Sequence, residues 1–571
     1  MKTRHPKQGP TCWSAALLLG LAAWFPLVAS ADISNGCIYS TDSRGHNPQA
    51  ITAYNFGPQL YYYSGDHSRT YFLWMQKGGG GYSIENMVFY YDHDTEEISE
   101  SYGVGLGTYG ATDPHGHGAL VVADDGHIIV VHEQLRHTGA SAHNGPYQVK
   151  RSIEPENPAA GFSLVHTTAS GNCYPHIWKL ANGDLFVSSR YGSDAYSDHY
   201  RIKFYKSEDD GLTWDAGKIV VNFGTAENYW AYHARIMHAD SDGIHLVVNR
   251  CNRDPSYGYP DCYYLQSADG ETWTNVDNSF TKNITTQGAI DVIEMDTYCL
   301  IEHSPDASDI LGISTGCFSP AGNLYLVQQD TNRQSTYNPV YWYLRYWEDG
   351  EWQKIDITEV FPAYNIRLMG NCIYGIHSCS DTEFDVYLLR TDDPAGGIHE
   401  IQKWQTTDRG ETWTMIEDIT SSSSYDNRYL AMTSNVPDSP YIGLAASYLN
   451  DPSHADIFIW ARPTGASAVD EPVLQGGRDN VVLWQNSPNP FSARIGSGQT
   501  TISYSLAASK HVSLRIHDAN GHLLETLVDG VQDAGDHSVV WSGREDRTSG
   551  IYLYRIEVGN LAITRKCVLL K

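Results

Sequence analysis

Between residues 32 and 463 the apolar positions come in short runs rich in Val, Ile, Tyr, Phe and Trp, broken at Gly, Asn and Asp; "GALVVADDGHIIVVHE" (118–133) and "YPHIWKLANGDLFVSSR" (174–190) are representative. Short runs of this kind between turn formers predict strands joined in hairpins, and a sustained helical period is almost absent. The body is therefore expected to be all-β. Its parts repeat: Ser207 opens "SEDDGLTW", Ser267 opens "SADGETW" and Thr406 opens "TTDRGETW", the first two 60 residues apart. Dividing the body by that period gives about seven units, a normal blade count for a propeller. From Thr464 the text turns small and polar with Pro and Gly, and residues 464–481 read as a linker. Alternating strands resume over 482–571, with turns of the "DANGH" and "DAGDH" kind, and predict a small β-sandwich. The expected architecture is a seven-bladed β-propeller over 32–463 followed by that C-terminal β-sandwich.

Charge and composition narrow the setting. Lys2, Arg4 and Lys7 precede the apolar run "WSAALLLGLAAWFPLVAS", which ends in small residues around Ala29 and Ala31. That layout predicts a cleavable export signal over residues 1–31. No other stretch is long and apolar enough to span a bilayer, so the mature chain is expected to lack a transmembrane segment and to be secreted or held at the cell surface. A net charge of −29 argues against nucleic acid or an anionic membrane as partner. A polyanionic substrate would need a local cationic pocket. Of ten cysteines, Cys12 falls in the signal, and the odd, scattered remainder does not read as a disulfide framework.

Such a pocket is suggested where three hairpins align. Gly126, Gly183 and Gly243 fall 57 and 60 residues apart and so mark equivalent turns. Nine residues before the glycine stand His117 and Tyr174, with Tyr232 and His233 near that place in the third hairpin; seven residues after it stand Glu133, Arg190 and Arg250. Both offsets lie at the open end, where a three-residue loop makes them face one another and a two-residue loop puts them on opposite faces. His115 and His137 add imidazoles to the same rim. Any one of these residues is accounted for as a cap on a strand end. As a set they are harder to explain, since buried cations need partners and few carboxylates are expected there. Without a carboxylate pair, ordinary glycoside hydrolysis is poorly served. Removal of a proton alpha to a carboxylate suits the set better. Arginine matches the carboxylate, histidine serves as base, and tyrosine acts as base or acid once a neighbouring cation lowers its pKa.

The three segments, Ser/Thr-x-Asp-x-Gly-x-Thr-Trp in the first and third and one residue shorter between Asp and Gly in the second, resemble the Asp-box, a hairpin-turn signature of sialidase-type propellers that marks a fold and carries no catalysis. The stretches "DPHGHGALVV", "LRHTG", "YPHIWKLANGDLFVSSR" and "HLVVNR" resemble the BNR-like ulvan lyases of polysaccharide lyase families twenty-four and twenty-five, the latter more, and the likeness is strongest from Asp113 to Trp273. This resemblance implies β-elimination in a sulfated rhamnose and uronic acid polymer of green algae. By position it implies that His117 and His137 are active-site histidines, that Tyr174 is the catalytic acid or base, and that Arg190 neutralises the uronate. His115, Tyr232 and Arg250 are then substrate contacts. It also implies a structural, non-catalytic metal ion, expected to be zinc, at His233, Cys251 and Cys262, with Asp254 or Asp261 as a fourth ligand. A disulfide between Cys251 and Cys262 is the alternative in an exported chain. "NSPNPF", "SGIYLYRI" and "TRKCVLLK" resemble the sorting domain of type IX secretion cargo, which implies that machinery as a partner. The expected activity is that of a secreted ulvan lyase acting on an anionic polysaccharide. A non-catalytic glycan-binding propeller and a sialidase-superfamily glycoside hydrolase are the alternatives.

Overall fold

The computed structural model describes residues 37–39, 60–77, 83–108, 118–133, 145–192, 201–224, 229–236, 243–252, 258–306, 308–332, 341–358, 373–390, 398–421, 423, 426–433, 441–451, 454–463, 481–483, 491–492, 499–506, 509–518, 522–542, 547, 550–558 and 561–570. The expected export segment and all of the expected linker except Val481 lie outside them. Among the described residues the chain is all-β in its architecture, and up to Pro463 it forms seven antiparallel sheets. Most open with a hairpin of two strands, such as Asn172–Lys179 with Leu185–Tyr191 and Tyr229–Ile236 with Ile244–Asn252.

These second strands read as nearly continuous apolar runs because both of their faces are buried. In Leu185–Tyr191, Leu185 and Val187 enter a core shared with the preceding sheet, whereas Phe186 enters one shared with the following sheet. The same relation links each sheet to the next. The last sheet also shares a core with the first, through Ala431, Ile457 and Ile459 against Leu60, Phe72 and Phe89. Cys37–Tyr39 pairs with His454–Pro463, so both ends of the body meet in one sheet. This is a propeller-like arrangement.

The repeated turns act as expected. Asp209, Asp269 and Asp408 accept from the backbone N–H of Thr213, Thr272 and Thr412, at 2.8, 2.7 and 2.8 Å. The indoles of Trp214, Trp273 and Trp413 each donate to the turn glycine's carbonyl at 3.1 Å. Gly270 shows why glycine is required there. Its φ is +75°, and a Cβ would come within 2.3 Å of the Phe186 ring. Beyond the body, Ile502, Tyr504 and Trp541 of a three-stranded sheet share a core with Leu514, Ile516, Tyr554 and Ile556 of a five-stranded one. Among the described residues no helix is long and apolar enough to cross a membrane.

Candidate active site

The turn after Asn172–Lys179 closes with Leu180 N–H donating to Asp184 O at 2.9 Å and Gly183 N–H to Leu180 O at 3.0 Å, Gly183 having φ +88°. The loop thus has three residues, and the register runs from Lys179↔Leu185 to His176↔Ser188. Continued, it would set Tyr174 directly opposite Arg190. It does not continue, because Pro175 has no N–H to give the ladder. A bulge absorbs one residue, Cys173 pairs with Arg190, and Tyr174 takes φ +59°. The expected direct opposition is therefore corrected, yet the bulge re-aims the side chain to the same end. Arg190 Cζ lies 4.4 Å from the centroid of the Tyr174 ring, with the two residues 3% and 6% exposed. A non-glycine residue in this region costs roughly 1–3 kcal/mol, a strain held here beside a buried cation.

The next sheet repeats the device. Ala231 pairs with Arg250 and His233 with Asn249, so Tyr232 is the extra residue, again just after the one opposite the arginine. Arg190 lies on the face carrying Phe186, Ile202 and Phe204, and Arg250 on the face carrying Leu246, Val248 and Tyr263. All six apolar residues belong to one core. The two guanidinium groups therefore stand at the same end of a single inter-sheet gap.

Arg250, expected as a substrate contact, is held by carboxylates. Its Nε lies 2.7 Å from Asp261 Oδ2 and its Nη1 3.0 Å from both Asp296 oxygens. The Tyr263 hydroxyl donates to Asp296 at 2.6 Å, and His303 Nδ1 lies 2.6 Å from the other Asp261 oxygen. Burial, with Asp261 beside it, pushes the Tyr263 phenol up, so it remains a donor. The expectation that this rim offers few carboxylates is thus corrected for this sheet. Asp261 was named from the sequence only as a metal ligand, and its place opposite Arg250 comes from the strand register. Asp296 was not named, since it arrives on the short helical turn Met295–Cys299. In the earlier sheet, Glu133 is buried and accepts from Gly145 N–H at 3.0 Å. Burial holds its neighbour His132 down at about 4, hence neutral.

His115, His117 and His137 lie outside the described residues, as does Asp254. Tyr232 and His233 are described only as backbone in the strand Tyr229–Ile236. His233, Asn249 and Cys262 form one row across three strands, and Cys251, two residues from Asn249, shares their face. Cys251 and Cys262 are buried and are not joined in a disulfide. Burial pushes the Cys262 thiol up. Asp261 is adjacent to Cys262 in the strand and faces the other way, toward Arg250. That removes it as a fourth ligand beside Cys262.

A family model described as BNR repeat-containing family member matches residues 61–360, and the FlgD Ig-like domain model matches residues 492–560. No curated protein matches the chain. Among solved structures, a PL25 ulvan lyase bound to -[GlcA(1-4)Rha3S]- is 14% identical, with 75% of this chain and 96% of that chain covered and a TM-score of 0.58. A second structure described as a PL25 ulvan lyase gives the same identity and coverage with a TM-score of 0.57. The polysaccharide lyase Uly1 is 13% identical, with 72% and 90% covered and a TM-score of 0.51. At such identities the likeness is one of fold.

Proposed function

The chain belongs to the BNR repeat-containing family, and from that premise we propose that it is an exported polysaccharide lyase that cleaves ulvan, a sulfated uronate-containing polymer, by β-elimination. The observation that carries this reading is the buried Arg190 guanidinium stacked 4.4 Å over the Tyr174 ring at the open end of its hairpin. In a site shielded from water a fixed cation acts strongly on charge that develops beside it. Arg190 would pair with the uronate carboxylate and stabilise the enediolate formed when the adjacent carbon loses its proton. Tyr174 and the histidines His117 and His137 would divide the remaining work, one group taking that proton and another giving one to the departing glycosidic oxygen. Electrons from the broken C–H bond become the new C=C bond and those of the C–O bond leave with the oxygen, so no water or oxidant is consumed. Tyr232 and His115 would contact neighbouring sugar units. Arg250, already compensated by Asp261 and Asp296, would shape the gap more than bind charge.

The remaining parts of the proposal follow the same frame. The seven sheets are the blades of a seven-bladed propeller, the C-terminal residues form a β-sandwich that serves type IX secretion, and residues 1–31 are the export signal. A zinc ion at His233, Cys251 and Cys262 is supported by the absence of a disulfide between the two cysteines and by the register positions of the three residues. It would brace the sheet and take no part in the reaction. The test is to incubate the protein with ulvan and follow near-ultraviolet absorbance. A lyase creates a double bond conjugated to the carboxylate and the absorbance rises; a hydrolase or a binding module leaves it flat.

A further inference from the structure

At the closed end of another hairpin, Ile373–Ser378 with Phe384–Arg390, three different ligand types converge. One ligand atom each from His377, Cys379 and Asp385 lie within 4.8 Å of one another, the one such group among the described residues. The register accounts for this. His377 pairs directly with Asp385 across the hairpin. Cys379 then begins the turn, its N–H donating to Glu383 O at 2.9 Å, and its Sγ comes 3.8 Å from His377 Nδ1. Asp385 is held by outer partners: Lys403 Nζ lies 2.7 Å from Oδ2, and Gln405 Nε2 donates to Oδ1 at 3.0 Å. A carboxylate has about four acceptor positions, so these donors orient it and still leave room for a cation. Ligating carboxylates are commonly held in this way.

We propose that His377, Cys379 and Asp385 bind a divalent cation of the zinc class, with solvent in the remaining position. Nitrogen, sulfur and oxygen donors in one cluster suit a borderline-soft cation; the thiolate supplies the charge that faces it, since Lys403 already balances the carboxylate. Because the thiol must release its proton, affinity falls as pH is lowered. The site lies at the turn end of its hairpin, whereas Tyr174 and Arg190 occupy the open end of theirs. The ion would clip a turn to its strands, and its loss would not stop the elimination.

The full chain, treated with chelator and reductant, is titrated with zinc chloride. Metal content is measured by mass spectrometry and alkylation of each cysteine by peptide mapping. Zinc is expected to slow alkylation of Cys379 at least tenfold, and Cys379→Ser and Asp385→Asn are each expected to bind one equivalent less than the parent chain. A Cys251→Ser variant should leave zinc protection of Cys379 intact, which separates this site from the one proposed at Cys251 and Cys262. Alkylation of Cys379 that is indifferent to zinc, or a folded Cys379→Ser chain with undiminished metal content, overturns the proposal. The alkylation arm needs no mutation and therefore stands even if a variant fails to fold.

Discussion

Replacing Arg250 by Met separates a structural cation from a substrate contact. Arg250 is 9% exposed and its nearer partner Asp261 only 2%, so deleting the guanidinium leaves a buried carboxylate with the half-exposed His303 beside it. Breaking a buried pair from one side costs about 3–5 kcal/mol. The second partner is different: the Asp296 side chain is 45% exposed, and an exposed pair is worth about 1 kcal/mol or less. Arg250→Met should therefore lower the melting temperature by about 3–4 °C in a chain of this size, and Asp296→Asn by about 1 °C. Combining Arg250→Met with Asp261→Asn should recover part of the loss, because both charges then leave together. Thermal unfolding followed by tryptophan fluorescence at neutral pH measures all three. The reasoning fails if Arg250→Met melts with the parent while its turnover of ulvan collapses, for then the guanidinium serves the ligand and not the sheet.

Three further outcomes are expected. Tyr174→Phe and Arg190→Lys should each reduce the rate of double-bond formation on ulvan by about a hundredfold or more. Tyr174→Phe should leave the melting temperature unchanged, since the ring that stacks on Arg190 is retained; unchanged turnover in that variant removes the tyrosine from the mechanism. Burial holds His93 and His132 near about 4, below the ordinary 6.5. The unfolded chain therefore binds protons the folded one refuses. Their contribution is complete above pH 6.5 and is lost as pH falls toward 4, on the order of 3 kcal/mol for each. Acid unfolding curves should show this, and His132→Leu should flatten them; an unaltered curve refutes the assignment to His132. Gly270→Ala should cost about 2–4 kcal/mol, as a left-handed alanine would have to displace the Phe186 ring. A melting temperature within about 1 °C of the parent would refute that packing argument.

Much of the body was legible because strands and tight turns are local. The apolar runs, the Asn-Gly turn at Asn182 and Gly183, and the three Ser/Thr-x-Asp repeats each depend on a few adjacent residues, and the structure contains them as read. Tyr174 and Arg190 were paired from their offsets to Gly183, and their contact follows from a three-residue loop that the spacing allowed without requiring. The bulge at Pro175 was missed although proline signals it, because an alignment on glycines counts residues and not hydrogen bonds. Asp296 and the group of His377, Cys379 and Asp385 carry no local signature. One depends on where a helical turn folds back, and the other on a register that appears only once the hairpin is formed.

The amino-acid order alone determined the strand content, the repeat and the kinds of side chain gathered at each hairpin mouth. Those properties follow from the alternation of a single strand and the φ preferences of single residues. Which faces meet across a gap, and which charges are neutralised when they do, was decided by the tertiary structure. Arg190 and Arg250 occupy matching offsets, yet Arg250 is held between Asp261 and Asp296. Desolvation and ion pairing act through space, and spatial neighbours 11 and 46 residues apart are set by sheet packing and not by the spacing of letters along the chain.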